Sequence, residues 1–329
     1  MFDPRIQGHH AIRSKLLERL QAGKLPGTLL LTGPEGIGKR RVALELAQRE
    51  LCFRKTACGD CEGCQLFHSD PLPVELPNLL RIAPEGKAGL IKVGMIREDD
   101  LVEGGVIAWA SLSPAPGCHR WILIEDAHRL NGASANILLK TLEEPPPGTR
   151  FLLVTHRPEA VLQTIRSRAQ RIAFAPLAPK EAWAVASSKG WHEGSKQRWM
   201  ALSEGTLRYL EEDAFQRAQA QLEAWMLLME GGSFPSASEP LLPEKDAEKA
   251  QNEQLREALE VLLRLVTDVA RVRSGKEPVL TPWADRLRKL AVKPLDLRGP
   301  QDLIHEALRN LARNPNGEPL LREVALSLV

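Results

Sequence analysis

An apolar segment runs directly into a glycine-rich loop in Thr28-Leu-Leu-Leu-Thr32-Gly33-Pro34-Glu35-Gly36-Ile37-Gly38-Lys39-Arg40. A helical pattern, Arg41-Val-Ala-Leu-Glu-Leu-Ala-Gln48, follows it. Strand, loop and helix in this order form a phosphate-binding loop, in which backbone N–H groups and the helix N-terminus hold phosphate oxygens. Lys39 would reach the β- and γ-phosphates. The stretch therefore predicts an α/β domain with a nucleotide pocket.

One position of this loop departs from the usual pattern. A Ser or Thr hydroxyl normally follows the lysine and ligates Mg²⁺, but Arg40 stands there. An arginine side chain has no acceptor atom and cannot coordinate a cation. Binding of ATP or ADP through Lys39 remains compatible with the loop, whereas Mg²⁺ coordination and metal-assisted hydrolysis are disfavoured.

A second apolar segment ends in two carboxylates, in Arg120-Trp-Ile-Leu-Ile-Glu125-Asp126-Ala-His128. This pattern is typical of a Walker B strand, in which an Asp that holds Mg²⁺ usually precedes a Glu that polarises water. Here the order is reversed. The longer side chain of Glu125 moves the metal-side carboxylate by about one methylene group, and the shorter side chain of Asp126 retracts the base. A displacement of a catalytic group near 1 Å can lower a rate about a hundredfold. The reversed order and Arg40 together predict weak or absent ATP hydrolysis. The alternative is a buried strand that ends in solvated acids.

Four cysteines fall within one short segment behind the loop helix. They are Cys52, Cys58, Cys61 and Cys64. Zn²⁺ binds four thiolates tetrahedrally, and each Cys-x2-Cys turn lets two sulfurs reach one ion. The spacing predicts a structural zinc site, with no pattern for the open position of a catalytic one. The alternatives are free thiols or a disulfide pair, and a reducing compartment disfavours the disulfides.

Length and composition limit the possible functions. The chain has 329 residues, 43% of them hydrophobic, and a formal net charge of +2. It is long enough for two or three domains with hydrophobic cores. Its balanced charge disfavours a free-standing nucleic-acid-binding protein. No apolar run approaches the roughly 20 residues that span a bilayer, and the N-terminus lacks the profile of a targeting segment. We therefore expect a cytoplasmic protein without a membrane partner.

The most specific signals follow the two carboxylates. They are the segments Asn131-Gly-Ala-Ser-Ala-Asn-Ile-Leu-Leu-Lys-Thr-Leu-Glu-Glu-Pro-Pro-Pro147, Arg150-Phe-Leu-Leu-Val-Thr155 and Thr164-Ile-Arg-Ser-Arg-Ala169. With these segments the chain closely resembles bacterial DNA polymerase III clamp-loader subunits of the AAA+ class. The resemblance is strongest over residues 1–175. It implies a RecA-like parallel sheet with a zinc-module insertion, a small helical lid and an all-α collar.

The resemblance also assigns roles to single residues. Thr155 would occupy the sensor 1 position at the tip of a central strand. Arg168 would be an arginine finger that completes the ATP site of a neighbouring subunit, since its planar fork suits phosphate oxygens. Ala169 replaces the cysteine of the family motif. Arg208 would be a sensor 2 residue at the γ-phosphate. Without the resemblance, both arginines fit ordinary solvated positions.

Within the family, the eroded nucleotide site resembles that of delta prime subunits. This implies a stator-like subunit of the DNA polymerase III holoenzyme, a nucleotidyltransferase complex that acts in DNA replication. Such a subunit assembles with motor and delta-type subunits and helps load the sliding clamp onto primed DNA. Two alternatives remain open, namely a catalytically active AAA+ motor subunit and a zinc-knuckle DNA-binding module. Arg40 and the carboxylate order disfavour the first, and the lack of stacking aromatics disfavours the second.

The predicted organisation has three parts. Residues 1–175 form the nucleotide-binding domain with its zinc module at 50–68, residues 176–211 the lid, and residues 212–329 the collar. Helical patterns cover 181–189, 196–210, 215–229, 253–274, 284–291, 302–313 and 320–329. A flexible loop is predicted at 231–240 from its Gly, Ser and Pro content. A helical region without a catalytic constellation is usually a packing or assembly domain.

Overall fold

The computed structural model describes residues 6–69, 72–85, 89–97, 105–114, 117–242, 248–311 and 317–328. The chain divides into two compact units. One comprises Met1–Val185 with Gly205–Leu207, and the other comprises Ala186–Glu204 with Arg208–Val329. The stretch predicted as a lid, 176–211, is shared between these units. The division into three parts therefore stays a prediction.

The first unit is a mixed α/β domain around a sheet. Among the described residues its strands are β1 (Thr28–Thr32), β2 (Glu75–Leu76), β3 (Leu79–Ile82), β4 (Arg120–Ile124), β5 (Thr149–Thr155) and β6 (Gln170–Ala173). Their order across the sheet is β2-β3-β4-β5-β1-β6. The pairs of this order are parallel except for β2 with β3. This architecture confirms the predicted fold class.

Apolar residues cover both faces of the central strands. In β1, Leu30 packs into one hydrophobic cluster, while Leu29 and Leu31 pack into the cluster on the opposite face. Strands that are buried on both faces have continuous apolar sequences, which is typical of parallel sheets. Because Thr32 of β1 pairs in register with Thr155 of β5, and β5 pairs with β4, the carboxyl ends of these three strands lie side by side.

Helices flank this sheet. They are α1 (His10–Gln21), α2 (Lys39–Leu51), α3 (Glu62–Gln65), α4 (Val93–Arg97), α5 (Gly105–Ser111), α6 (Gly132–Glu143), α7 (Gln163–Arg166) and α8 (Pro179–Ser188), which runs into the second unit. A buried ion pair joins α1 to α2, with Arg13 Nε and Nη2 each 2.8 Å from a carboxylate oxygen of Glu45. The side chain of Asn131 accepts the N–H of Ser134 and so caps α6.

The second unit is helical in its described residues. Its helices are α9 (Lys196–Ser203), α10 (Glu212–Met229), α11 (Phe234–Ala237), α12 (Glu248–Arg273), α13 (Ala284–Val292), α14 (Arg298–Asn310) and α15 (Gly317–Leu326). The long helix α12 packs against α10, α13, α14 and α15. Its apolar residues at helical spacing, including Leu259, Leu262 and Val266, are buried. No helix in the described part of the chain combines the length and apolarity that a membrane span requires.

Two local predictions in this region were wrong. The helix predicted at 196–210 ends at Ser203, because Glu204 and Gly205 both adopt left-handed backbone conformations. The loop predicted at 231–240 contains the short helix α11. Residues 312–313 and 329, at the ends of two predicted helices, lie outside the described residues.

Candidate nucleotide and metal sites

The predicted phosphate-binding loop connects β1 to α2. Gly33 has a φ of 144°, and a Cβ atom there would lie 2.3 Å from the carbonyl oxygen of Phe174. Only glycine therefore fits at the start of the loop. The ring of His9 contacts the far side of the loop, with Nε2 2.7 Å from the carbonyl oxygen of Ile37. The loop is held from both sides by neighbouring elements.

The lysine of the loop is buried. Lys39 Nζ donates hydrogen bonds to the carbonyl oxygens of Gly33, at 2.8 Å, and of Pro34. Burial lowers the pKa of this ammonium group to about 8, although the nearby carboxylates of Glu35 and Asp126 oppose the shift. The charge that would bind phosphate thus becomes sensitive to pH within the neutral to mildly alkaline range.

The first Walker B carboxylate is paired with two guanidinium groups. Glu125 Oε1 lies 2.7 Å from Arg40 Nε and 2.8 Å from Arg81 Nε. The carboxylate and Arg81 are largely buried, while Arg40 is 44% exposed. Sequence reasoning identified Arg40 as a residue that cannot bind Mg²⁺, and the structure adds that it contacts the carboxylate expected to do so. Two positive charges therefore stand beside Glu125.

The second carboxylate, Asp126, lies among histidines. Its Oδ1 is 3.4 Å from Nδ1 of His156, and His156 packs edge-to-face on His128 with ring centroids 4.5 Å apart. Burial raises the pKa of Asp126, but His156, His128 and Arg129 outweigh it, so the pKa lies below its usual value. Burial, and then the adjacent His156, lower the pKa of His128 to about 3.

Thr155, the predicted sensor 1 residue, lies at the end of β5 and is fully buried. Its hydroxyl is 3.0 Å from Nδ1 of His128 and accepts the backbone N–H of Arg157 at 3.0 Å. The predicted role of Thr155 as a nucleotide sensor stays a prediction. The structure places the Thr155 hydroxyl beside His128, which groups with Asp126 and His156, so the ends of β4 and β5 form one polar cluster.

The four clustered cysteines converge on one point. Their sulfur atoms all lie within 4.8 Å of one another, with Cys52 3.7 Å from Cys58 and Cys58 4.0 Å from Cys64. Sulfurs bound at about 2.3 Å to a tetrahedral zinc would lie about 3.8 Å apart. All four are free thiols in the structure. The donor set and its spacing fit a zinc ion.

Backbone geometry supports this cluster. Burial raises the pKa of the Cys52 thiol, but backbone N–H groups that include that of Cys58 outweigh burial and lower it to about 5. Burial raises the pKa of Cys64 to about 12. A glycine is needed at position 63 because a side chain would not fit there. A Cβ atom on Gly63 would lie 2.1 Å from the carbonyl oxygen of Leu51. This close approach packs α3 against the end of α2.

The two predicted nucleotide-contacting arginines have carboxylate partners. Arg168, just after α7, donates from Nε to Glu143 at 2.9 Å and from Nη1 to the carbonyl oxygen of Thr164 at 3.1 Å. Arg208 belongs to the second unit, where it forms an ion pair with Glu260. The phosphate-binding loop belongs to the first unit. The roles predicted for both arginines stay predictions.

Sequence reasoning missed several members of these clusters. Arg81 was detectable only as a charged residue inside the apolar strand β3. His156 directly follows Thr155, and Glu143 lies within the family-specific segment, but neither has a spacing that marks it. Their partners come from distant parts of the chain, so no local pattern reveals the contacts.

Comparison with known proteins identifies the family of this chain. The family described as “DNA polymerase III, delta subunit” matches residues 8–178, which is more than half of the chain. DNA polymerase III subunit delta′ of Pseudomonas aeruginosa is 41% identical over 142 residues, covering 42% of this chain and 40% of that protein. The delta′ subunit of Escherichia coli is 35% identical over 176 residues, covering 52% and 48%.

A subunit of a second type is also similar. The DNA polymerase III subunit tau of Escherichia coli is 31% identical over 166 residues, covering 50% of this chain and 24% of that protein. The chain thus spans about half or less of the length of each of these curated relatives.

Proposed function

The chain belongs to the DNA polymerase III delta subunit family, and we propose that it is a delta prime-like stator subunit of the clamp loader. In this role it assembles with motor and delta-type subunits in the cytoplasm. It contributes Arg168 to the ATP site of a neighbouring subunit. The assembled complex loads the sliding clamp onto primed DNA during replication.

The pairing of Glu125 with two arginines carries this proposal. Mg²⁺ requires a nearly octahedral shell of oxygen ligands, and Arg40 supplies none while its guanidinium already contacts Glu125. Arg81 holds the same carboxylate oxygen from the neighbouring strand. A metal ion that binds Glu125 would have to displace these two guanidinium groups or lie close to their positive charges. The chain's own ATP hydrolysis is therefore weak or absent, which suits a stator more than a motor.

The environment of Arg168 supports its proposed role toward a neighbour. Its side chain is 31% exposed, and its partner Glu143 is 58% exposed. Exposed ion pairs contribute about 0–1 kcal/mol, so the guanidinium can exchange Glu143 for another anion at little cost. A γ-phosphate accepts the planar fork of an arginine well. The contact with Glu143 partly orders the arginine side chain without locking it.

Two bound groups complete the proposal. Cys52, Cys58, Cys61 and Cys64 hold a structural zinc that fixes the 50–68 segment to the end of α2. ATP or ADP binds through the loop N–H groups and Lys39, without productive Mg²⁺. The zinc does not take part in phosphate chemistry, because all four of its positions are filled by thiolates.

Reconstitution tests this function. The purified chain is mixed with motor and delta-type subunits, the sliding clamp and primed DNA, and ATPase and clamp loading are measured with and without it. We expect a stable complex whose clamp-stimulated ATPase and loading require this chain. A chain that fails to join the complex, or a complex that loads clamps equally well without it, would refute the proposal.

A motor subunit is the second candidate function. The similarity to tau and the glycine-rich loop with its buried Lys39 favour it. Steady-state hydrolysis by the isolated chain separates the two candidates. Robust Mg²⁺-dependent turnover identifies a motor, whereas nucleotide binding with little turnover identifies a stator.

A further inference from the structure

We infer that Asp126, His128 and His156 form a second metal site, separate from the cysteine cluster, for a divalent transition metal such as Zn²⁺ or Co²⁺. These three residues are called the Asp-His-His cluster below. One ligand atom from each lies within 4.8 Å of the other two. The inference rests on their placement and donor chemistry, and it is independent of the proposed stator function.

The separation of two of these groups fits two ligands that share one metal ion. Asp126 Oδ1 and His156 Nδ1 are 3.4 Å apart. A charge-assisted N–H···O hydrogen bond is usually about 2.7–2.9 Å long. Two ligands each about 2.1 Å from a tetrahedral metal are about 3.4 Å apart. The observed spacing therefore matches one edge of a metal coordination tetrahedron.

The scaffold holds the ligands rigidly. Asp126 and His128 follow β4, and His156 follows β5, which is paired in register with β4. The hydroxyl of the buried Thr155 contacts Nδ1 of His128 at 3.0 Å. Metal-binding histidines usually have their second ring nitrogen fixed by such an outer-shell partner. One histidine is thus already oriented by the strand that carries the other.

The two carboxylate oxygens of Asp126 have different neighbours. Arg129 Nε lies 4.0 Å from Oδ2, whereas the contact with His156 involves Oδ1. Oδ1 therefore lies on the side of His156, where a shared metal ion would bind. Arg40 and Arg81 are paired with Glu125, which removes that neighbouring carboxylate from the donor set.

The donor set determines which metals fit. Imidazole nitrogens suit Zn²⁺, Co²⁺ and Ni²⁺, whereas Mg²⁺ prefers oxygen ligands. The site therefore differs from the Mg²⁺ site of a phosphate-binding loop. Three protein ligands leave a fourth position open to water or to a phosphate oxygen. A metal here would also join the ends of β4 and β5.

Titration with Co²⁺ tests this site in purified protein that a weak chelator has first brought to one zinc per chain, held by the cysteine cluster. Cobalt bound by imidazole and carboxylate gives visible ligand-field bands, and cobalt bound by thiolates adds intense charge-transfer bands in the near ultraviolet. We expect one Co²⁺ per chain without thiolate bands. His156→Ala should weaken this binding more than about 100-fold, because loss of an outer-shell contact alone costs about 10- to 100-fold.

Two further variants complete the test. Asp126→Asn retains the size of the side chain and should also weaken Co²⁺ binding, while circular dichroism checks that both cluster variants are folded. His192→Ala removes an exposed histidine elsewhere and should bind Co²⁺ like the wild type. Equal Co²⁺ affinities of the wild type and His156→Ala would overturn the inference. A titration that yields only thiolate bands would overturn it as well.

Discussion

Arg40 shows how one residue can change the chemistry of a phosphate-binding loop. Its guanidinium lies 2.7 Å from Glu125, so a cation supplied by the protein stands where a metal ion would be expected to bind. The same substitution also removes the hydroxyl ligand. We attribute the proposed loss of hydrolysis to both effects, since either alone would weaken Mg²⁺ binding.

Replacing Arg40 tests this explanation. In Arg40→Ser, Glu125 loses one of its two guanidinium partners and the loop gains a hydroxyl group. We expect Mg²⁺ to tighten ADP binding by about tenfold, equivalent to about 1.4 kcal/mol, while having little effect on the wild type. Turnover should remain low because Arg81 stays paired with Glu125. Isothermal titration with and without Mg²⁺ measures the effect.

Arg41→Ser is the matched control, since Arg41 is exposed on the same helix. It should behave like the wild type. A wild-type chain that already binds ADP far more tightly with Mg²⁺ would contradict the explanation.

Lys39 leads to a prediction about pH. Its pKa is about 8 rather than 10.5, so it loses its positive charge above about pH 8. In the absence of Mg²⁺, ADP affinity should therefore fall as pH rises from 7.5 to 9.5, by up to about tenfold per pH unit above the pKa. Lys39→Arg should show a flatter profile because a guanidinium stays protonated. A wild-type affinity that is constant across this range would disprove the assignment.

At the scale of elements, the cysteine module is a local fold at the end of α2. We expect elemental analysis of protein purified without chelators to find one zinc per chain in the cysteine cluster, and a second metal ion wherever the Asp-His-His cluster is also filled. Cys58→Ser should lose the zinc and increase hydrogen exchange within 50–68 more than within the sheet, because the metal stabilises the module directly. Cys118→Ser, which changes the thiol outside the cluster, should retain its zinc. Wild-type protein without zinc would contradict this prediction.

The ends of α6 and α7 present Arg168 through a weak ion pair. If Glu143 only holds the arginine between engagements, Glu143→Gln should leave the clamp-stimulated ATPase of the complex unchanged. If loss of the ion pair frees the arginine, the ATPase rate should rise by no more than about fivefold. This factor corresponds to about 1 kcal/mol, the upper value for an exposed ion pair. Arg168→Lys should support the ATPase poorly, because an ammonium group lacks the bidentate fork. A loss in Glu143→Gln as large as that in Arg168→Ala would instead make Glu143 a positioning residue.

These elements also show what sequence could and could not reveal. The strand at Thr28–Thr32 and the capped helix after Asn131 were predictable because their signals are local. The clustering of the four cysteines followed from their spacing. The pairing of Arg81 with Glu125 was not predictable, since it joins residues 44 positions apart. The end of α9 at Ser203 was missed because a non-glycine residue, Glu204, takes a left-handed conformation there.

At the scale of the whole molecule, the stator proposal separates two roles that a motor subunit combines. Under this proposal, the chain's own nucleotide site is dispensable for hydrolysis by the complex, whereas Arg168 acts on a neighbouring site. An arginine finger can be worth about 10³-fold at its own site. Intact sites elsewhere in the complex would mask part of that loss in a bulk measurement.

The most direct test compares Arg168→Ala and Lys39→Ala in the reconstituted clamp loader, with assembly and zinc content confirmed for both. The measurement is the clamp-stimulated ATPase rate on primed DNA. The stator account predicts a clear loss with Arg168→Ala and a rate close to wild type with Lys39→Ala. The reverse result, with Lys39→Ala impaired and Arg168→Ala unaffected, would contradict the account and identify the chain as a motor.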